Sequence, residues 1–392
     1  MKIAIDISPL ATPKRTGIEN FTFNFCKNLS KVDKENEYIL FANSYGHFQS
    51  LKEAIEGIGI KESRNISTQI SRVPRTILEL MWKYIHIPSV EHLVHEKIDV
   101  FHIMGAGAIN PLLRTVKLVA TIYDLIPIKF PDFFDEKTRR HFNCYFNNVI
   151  PKADVVIAIS NSTKEDILEY FDIPGNKVEV VAPGFDSELY RQMQDKSMID
   201  KIKAKYGIDK NYILFVGTLE PRKNLQKLIK AYSILPEYLK SDYLLVVCGK
   251  KGLFFEELFR AVKELKLEEK VIFTGYVPDE DLPFLMNGAE VFVYPSLYEG
   301  FGLPPLEAMA CGTPVISSKV SSLPEVVNDA GILINPNDVE ELSDALLRVL
   351  SNNELRAQLS EKGLKQASKF SWKKTAMKIV EIYNKVGSHY EH

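Results

Sequence analysis

Cysteine is scarce: Cys26, Cys144, Cys248 and Cys311 are four thiols in 392 residues, far apart, set in apolar runs and without a C-x-x-C pair. That spacing excludes a disulfide framework and a cysteine-built metal site, and reads as small core residues in a reducing compartment. An excess of one charge is lacking as well, since 22 Lys and Arg face 22 Asp and Glu over residues 1–185 and 27 face 29 over the remainder. A nucleic-acid protein would carry a basic domain or stripe, so no nucleic-acid partner is expected. No apolar run approaches the length of a membrane helix, and the first one is interrupted by Asp6 too early for a secretion signal, which gives a cytoplasmic expectation. What is present is a length that exceeds one core and suits two domains of ordinary size.

Residues 2–7 alternate as a first strand, and a loop ending at Gly17 leads into a helix over 18–29 whose Phe21, Phe25 and Leu29 recur every fourth residue. Runs at 37–42, 99–104, 116–122, 155–159 and 178–181 predict further buried parallel strands with helices between them. The loop before Gly17 could bring backbone amides to a phosphate, but TGIEN lacks the full G-x-G-x-x-G pattern and a plain turn reads the same residues. Segment 72–87 carries Ile77, Leu78, Leu80, Met81, Trp82, Tyr84, Ile85 and Ile87 beside Arg72, Arg75 and Lys83. A basic, aromatic helix of this kind can cover a core or partner, or lie peripherally on the cytoplasmic face of a membrane. His92 and His95 share a helix face without a third ligand near in sequence, so no metal site is expected there. TIYDLIP, 121–127, sets Tyr123 and Asp124 at the C-terminal end of a strand, where open α/β sheets hold ligands; a capping aspartate with an aromatic neighbour would look the same. Ser160 or Ser162 caps a helix, and a first domain over 1–185 gives way to a polar linker over 186–209.

In the second half, YILFVGTLEPRKN delivers Gly217, Thr218, Glu220, Arg222 and Lys223 into a loop after a strand. The Arg fork and the compact Lys charge suit a diphosphate, although a solvated cation pair reads the same way. Strands at 243–248, 271–273 and 289–294 alternate with helices starting near 254, 279, 303, 339 and 354, a Rossmann-like pattern over 210–370. Asp279 and Asp281 imitate a D-x-D metal motif but open a helix as first-turn acids. At 294–314, YPSLYEGFGLPPLEAMACGTP, a core strand runs into a turn punctuated by Gly300 and Gly302, and Pro304 with Pro305 fits only a first helical turn. A helix therefore starts near Leu303. The amides of Phe301, Gly302 and Leu303 then form an anion seat bracketed by Glu299 and Glu307. Carboxylates accept hydrogen bonds from hydroxyls, so a ligand with an anionic group flanked by polyols, a sugar nucleotide, satisfies the whole arrangement. Taken alone, the two acids also fit a turn residue and a dipole-favoured helix acid.

Glu299 and Glu307 with seven residues between them, ending in EAMACGTPVI, resemble the E-x7-E signature of glycosyltransferase family 4, retaining enzymes of the GT-B fold. The resemblance is strong over 211–383 and looser over 1–185. It implies an α/β architecture of two facing Rossmann-like domains: 1–185 for the acceptor, 210–370 for the nucleotide sugar, and a helix within 371–392 crossing back to the first, with a hinge near 370–371. It places the Gly17 loop at the donor diphosphate and Arg222 and Lys223, in the loop with Gly217 and Thr218, on the departing diphosphate. It puts Glu299 on sugar hydroxyls, Glu307 on the ribose, and backbone groups near Tyr276 and Val277 around the base. Tyr123, beside Asp124, stands where the family usually has a histidine contacting the donor sugar. The implied reaction moves a hexosyl unit from a nucleotide-diphosphate sugar to a hydroxyl acceptor with retained configuration, needing no metal or other cofactor. The EPRKN and YEGFGLPPLE wording resembles mannosyltransferases of surface-polysaccharide assembly, implying GDP-mannose as donor and a glycan or lipid-linked glycan as acceptor. A hydrolase or epimerase on the same fold and a catalytically silent sugar-nucleotide sensor are the alternatives; the presence of both glutamates and both cations disfavours the sensor. Removing Arg222 or Lys223 is expected to weaken activity and leave the fold intact.

Overall fold

The computed structural model describes residues 1–12, 17–44, 47–60, 63–73, 77–78, 81, 84–85, 87–105, 115–250, 252 and 255–387. The chain divides into two compact units, Met1–Gly184 together with Trp372–His392, and Phe185–Ser371. The first contains a seven-stranded sheet in the order β3-β2-β1-β4-β5-β6-β7, built from β1 (Lys2–Asp6), β2 (Glu37–Asn43), β3 (Ile66–Ser71), β4 (Val100–Ile103), β5 (Lys117–Ile122), β6 (Val155–Ala158) and β7 (Val178–Val180). All pairings are parallel, and β1 lies between β2 and β4, with Ile5 opposite Leu40 on one side and His102 on the other. Continuous apolar runs such as ILFA and VATI form these strands because a parallel sheet is covered on both faces. β3, ISTQIS, is a polar edge strand that periodicity did not mark. The order reverses direction between β1 and β4, which opens a crevice at the C-terminal edge of the sheet.

The helix Gly17–Val32 buries Phe21, Phe25 and Leu29 and packs against the terminal helix Trp372–Gly387. The Phe21 ring meets Trp372 edge-on at 5.4 Å, the Asn36 amide donates to Asn384 Oδ1 at 3.1 Å, and the Thr375 hydroxyl donates to the Ala182 carbonyl at 2.8 Å. Those contacts make the end of the sequence part of the first unit. Residues 13–16 of the loop before Gly17 lie outside the described residues, as do 74–76, 79–80, 82–83 and 86 of the 72–87 segment, Trp82 among them. Of that segment's described residues, Leu78 is buried while Ile77, Tyr84, Ile85 and Ile87 are exposed. Among the described residues no helix is long and apolar enough to cross a membrane.

The second unit repeats the plan. Six parallel strands run in the order β10-β9-β8-β11-β12-β13, built from β8 (Asn211–Val216), β9 (Tyr243–Cys248), β10 (Val271–Gly275), β11 (Val291–Tyr294), β12 (Val315–Ser318) and β13 (Ile332–Ile334). The last two, VISS and ILI, are too short to stand out in sequence. The stretch 186–209, expected as a linker, is counted with this unit. Its helix Lys196–Lys205 packs on the helix Leu282–Gly288, and Lys205 Nζ and the Tyr206 hydroxyl donate to Asp281 Oδ2 at 2.5 and 2.7 Å. Asp281, half of the D-x-D look-alike, is spent on that contact.

Fully buried His102, on β4, joins the terminal helix to the sheet: its Nδ1 lies 2.5 Å from the Tyr383 hydroxyl and its Nε2 2.8 Å from Thr121 Oγ1. Burial lowers its pKa to about 3. The folded state therefore binds fewer protons than the unfolded chain between pH 3 and the ordinary histidine value near 6.5, so stability falls as pH drops through that window. From pH 8 to pH 5 this one imidazole should remove about 2 kcal/mol. In urea unfolding, His102→Gln should therefore gain on the parent by about that amount over the same interval, whereas a pH-independent difference between the two proteins would show that His102 is not held neutral.

Candidate active site

Two loops at the C-terminal edge of the second sheet are stitched together because β8 and β11 are neighbours there. After β8 the chain turns through Pro221–Lys223 to Asn224, whose φ of 58° lies in the left-handed region that asparagine tolerates. The Asn224 side-chain amide donates to the carbonyls of Pro295 at 3.1 Å and Pro336 at 2.7 Å, and the Leu297 amide donates to the Arg222 carbonyl at 2.8 Å. Gly217 and Thr218 begin this loop. The Gly217 amide donates to the Cys248 carbonyl at 2.9 Å, and a Cβ on Gly249 would lie 1.8 Å from the Gly217 carbonyl oxygen, so the loop after β9 can pass only as glycine.

The stitching brings Arg222, Lys223 and Glu299 into one cluster. Arg222 Nη1 lies 2.8 Å from Glu299 Oε2, and Lys223 Nζ lies 2.7 Å from Oε1. Lys223 also donates to the hydroxyl of buried Tyr294, and Arg222 Nη1 donates to the Tyr298 carbonyl at 2.7 Å. Glu299 and Lys223 are each 8% exposed. Burial by itself would raise the Glu299 pKa, but the attraction of Lys223 and then Arg222 overrides it and holds the carboxyl at about 2. Burial lowers Lys223 below the usual lysine range, against the pull of Glu299. With Glu220 Oε2 3.7 Å from Arg222 Nη2, the cluster carries two cations and two carboxylates, of which Glu299 is the buried one. Each cation is a partner of a buried charge, which argues against the expectation that either can be removed without harm to the fold.

Just beyond Glu299 the chain enters the helix Leu303–Ala310 through Gly302, whose φ of 117° favours glycine; an added Cβ would also press on Leu323 Cδ2 at 2.8 Å. The Ser322 hydroxyl sits 2.9 and 2.6 Å from the carbonyls of Glu299 and Phe301, and the Ser321 hydroxyl accepts the Glu299 amide at 3.0 Å. These serines, like Asn224 and Tyr294, were not singled out from sequence; being 21 to 23 residues beyond the turn, Ser321 and Ser322 gave no spacing signal. Pro304 and Pro305 have no amide hydrogen, so the donors at this helix start belong to Gly302 and Leu303, preceded by Phe301, and among the described residues no acceptor is found for them. Glu307, one turn on, is half-buried, and no hydrogen bond or ion pair to its carboxylate is found among the described residues. Burial first, then the like charges of Asp279 and Asp186, push its pKa up to about 8. At the end of β10, Val277 is buried and Tyr276 half exposed, with Lys250 Nζ 5.1 Å from its ring centroid.

The remaining expected residues belong to the first unit. Gly17 is the exposed first residue of its helix with nothing within 4 Å of an added Cβ. The Tyr123 hydroxyl donates to the Met104 carbonyl at 2.8 Å and the ring meets Phe21 edge-on at 5.4 Å, so its hydrogen is used within the fold. Asp124 Oδ1 accepts the Ile126 amide at 3.0 Å, which is the capping role.

Two doubly wound parallel sheets, with a cation-neutralised glutamate beside a helix start in the second, define a nucleotide-binding α/β transferase class. Residues 198–366 match the model described as glycosyl transferases group 1, and residues 15–189 match the one described as glycosyltransferase family 4. O-antigen chain mannosyltransferase B of Escherichia coli is 30% identical over 391 residues, covering 98% of this chain and 99% of that protein. Serotype-specific mannosyltransferase WbdA of Escherichia coli is 34% identical over 275 residues, 69% of this chain but 34% of that protein. The chain belongs to glycosyltransferase family 4 and is a glycosyltransferase. Its fold is GT-B: Anabaena HepE in complex with UDP and glucose aligns with a TM-score of 0.75 at 20% identity, covering 98% of this chain and all of that one. Sucrose-phosphate synthase from Thermosynechococcus elongatus aligns at 0.71 and 19% identity, covering 99% of each.

Because Lys223 and Glu299 meet each other's charge out of water, the costs of removing them should not add. Lys223→Met should destabilise the protein by about 3 kcal/mol, Glu299→Gln by a similar amount, and the double variant by clearly less than the sum. Additive losses in a double-mutant cycle of urea unfolding would mean that the pair is not energetically coupled.

Proposed function

We propose that this glycosyltransferase moves a hexosyl unit, mannosyl by its relatives' names, from a nucleotide-diphosphate sugar such as GDP-mannose to a hydroxyl of a glycan or lipid-linked glycan, with retained configuration. The observation that carries the reading is the Glu299 carboxylate clamped by Arg222 and Lys223 beside the amides of Phe301, Gly302 and Leu303. The two cations and the helix start receive the charge that grows on the departing diphosphate, with Gly217 and Thr218 in the same loop, while Glu299 directs its remaining acceptor capacity at the sugar hydroxyls. Glu307 takes the ribose hydroxyls, and the chain near Tyr276 and Val277 borders the base. A carboxyl held at about 2 is a poor base at neutral pH, so Glu299 does not take the acceptor's proton. The departing diphosphate is then the group left to receive it, on the face from which the acceptor attacks.

A glutamate with a pKa raised to about 8 is also what a general acid would look like, which favours a second reading in which Glu307 moves a proton in a hydrolase of the same fold. Kinetics separate the two. Under ribose binding, Glu307→Gln raises the donor KM and leaves kcat within about threefold, provided chemistry is slower than donor release. Glu299→Gln does the reverse, lowering kcat mainly, because its bonds to the reacting sugar strengthen as the glycosidic bond breaks. A fall in kcat of a hundredfold or more in Glu307→Gln would sink the ribose assignment.

The raised pKa adds a pH signature. Ribose hydroxyls donate to an ionised carboxylate better than to a protonated one, so affinity for free nucleoside diphosphate should rise by up to about tenfold from pH 6.5 to 8.5. Glu307→Gln should abolish that rise; a rise that persists in the variant must come from another group. Transfer should also survive EDTA, since the proposed diphosphate contacts are Arg, Lys and amide groups, and activity restored only by a divalent cation would contradict them.

A further inference from the structure

We propose that the β10 edge of the second unit is an interface at which two copies of this chain pair about a two-fold axis. β10 closes one end of its sheet and pairs only with β9, so its outer edge faces no strand. An open edge of this kind is a template for a second chain. Beside it runs the helix Phe255–Glu264, and between the two lies a groove of about 460 Å³ lined by Glu256, Phe259, Arg260, Lys263, Glu268 and Phe273, among others. Its floor is aromatic. Phe259 stacks on Phe273 with ring centroids 4.5 Å apart and meets Phe255 edge-on at 4.4 Å, yet Phe259 is 42% exposed. Phe273 covers one face of that ring, and much of the remainder is open to solvent.

The charges name the occupant. Phe259, Arg260 and Lys263 follow Glu256 at helical spacings of three, four and seven residues, so all four share one face of the helix. An antiparallel copy reverses that face about its midpoint, which sets Glu256 opposite the second copy's Lys263 and Phe259 opposite the second copy's Arg260. Acid meets base at both ends, and a guanidinium meets the open part of a ring in the middle. The two-fold axis makes each of these contacts twice. Glu256, Arg260, Lys263 and Glu268 are exposed, and none of the four is held in an ion pair among the described residues, so pairing breaks no such bond within the unit. Two acids and two bases also leave the face neutral, so like faces approach without net repulsion. A small ligand suits the groove less well. Ligand sites converge a few fixed polar groups on concave walls, whereas the polar groups here are long side chains on an open rim. A partner of one charge sign, such as a nucleic acid or an anionic lipid surface, would meet the two acids as well as the two bases.

Sedimentation equilibrium of the full chain, run from about 1 to 200 µM, reads the association directly. A monomer–dimer equilibrium with a micromolar Kd is expected. Glu256→Lys and Lys263→Glu should each weaken it by about tenfold or more, because each reversal sets like charges together at both symmetric contacts. Mixed in equal amounts, the two single variants should recover a dimer within about threefold of the parent affinity, since both contacts of the mixed pair again join opposite charges. Misfolded chains cannot produce that recovery. Should either reversal fail to fold, Phe259→Ala carries the same expectation of about tenfold weaker association, through loss of the central ring. Three outcomes overturn the interface: a parent that stays monomeric over the whole range, which would leave the groove to a different protein; a dimer that neither reversal weakens; or a mixture that associates no better than its two components.

Discussion

The ion cluster at Glu299 is the constraint on which the C-terminal edge of the second unit's sheet depends. A carboxylate taken out of water is tolerated only where its charge is met, and here it is met twice, by Arg222 and Lys223 at 2.8 and 2.7 Å. These residues are 76 or 77 positions apart in the chain, and what joins them is the sheet order: β8 and β11 pair directly, so the loops leaving their C-terminal ends touch. Once the cluster is formed, the turn that follows is fixed at both ends, by Ser321 and Ser322 on the Glu299 and Phe301 backbone and by Gly302 at its left-handed angle. The helix start at Leu303 is thereby held rather than left to fray. Removing the cluster would therefore disturb more than the charge it presents.

Much of this was legible in the sequence. Alternating apolar runs and helical stretches gave the two Rossmann-like sheets because parallel strands covered on both faces read as continuous β-branched segments. The E-x7-E spacing and the Pro304–Pro305 pair located the helix start, since proline tolerates only the first turn. The short or polar strands β3, β12 and β13 escaped, for their identity comes from neighbours and not from local pattern. The pairing of Glu299 with Arg222 and Lys223 was also invisible: a charge list gives no distances, and two cations in one loop look alike whether they face solvent or a buried acid. Tyr123 illustrates the opposite limit, a residue whose place at a strand end suggested ligand contact but whose hydroxyl the fold itself uses.

The two sheets share one strand order yet end in chemically different edges. In the second unit the loops beyond the strand ends deliver the charged groups Arg222, Lys223, Glu299 and Glu307. In the first, the end of β5 delivers Tyr123 and Asp124 to a wall of phenylalanines. The same scaffold thus presents ionic side chains at one edge and aromatic ones at the other by loop content alone, without altering its cores.

Opposite pKa displacements complete the argument for roles. Glu299 and Glu307 are eight residues apart, the first buried and the second half-buried, yet one is held at about 2 and the other pushed to about 8. The difference lies in neighbours: two cations beside the first, two acids near the second. A permanently ionised carboxylate offers fixed acceptors whatever the state of the reaction, whereas one that titrates near neutrality gains its charge most readily when donors arrive. In the proposed chemistry this division matches a reacting sugar that needs constant electrostatics and a ribose whose binding can supply the hydrogen bonds that ionise its own partner.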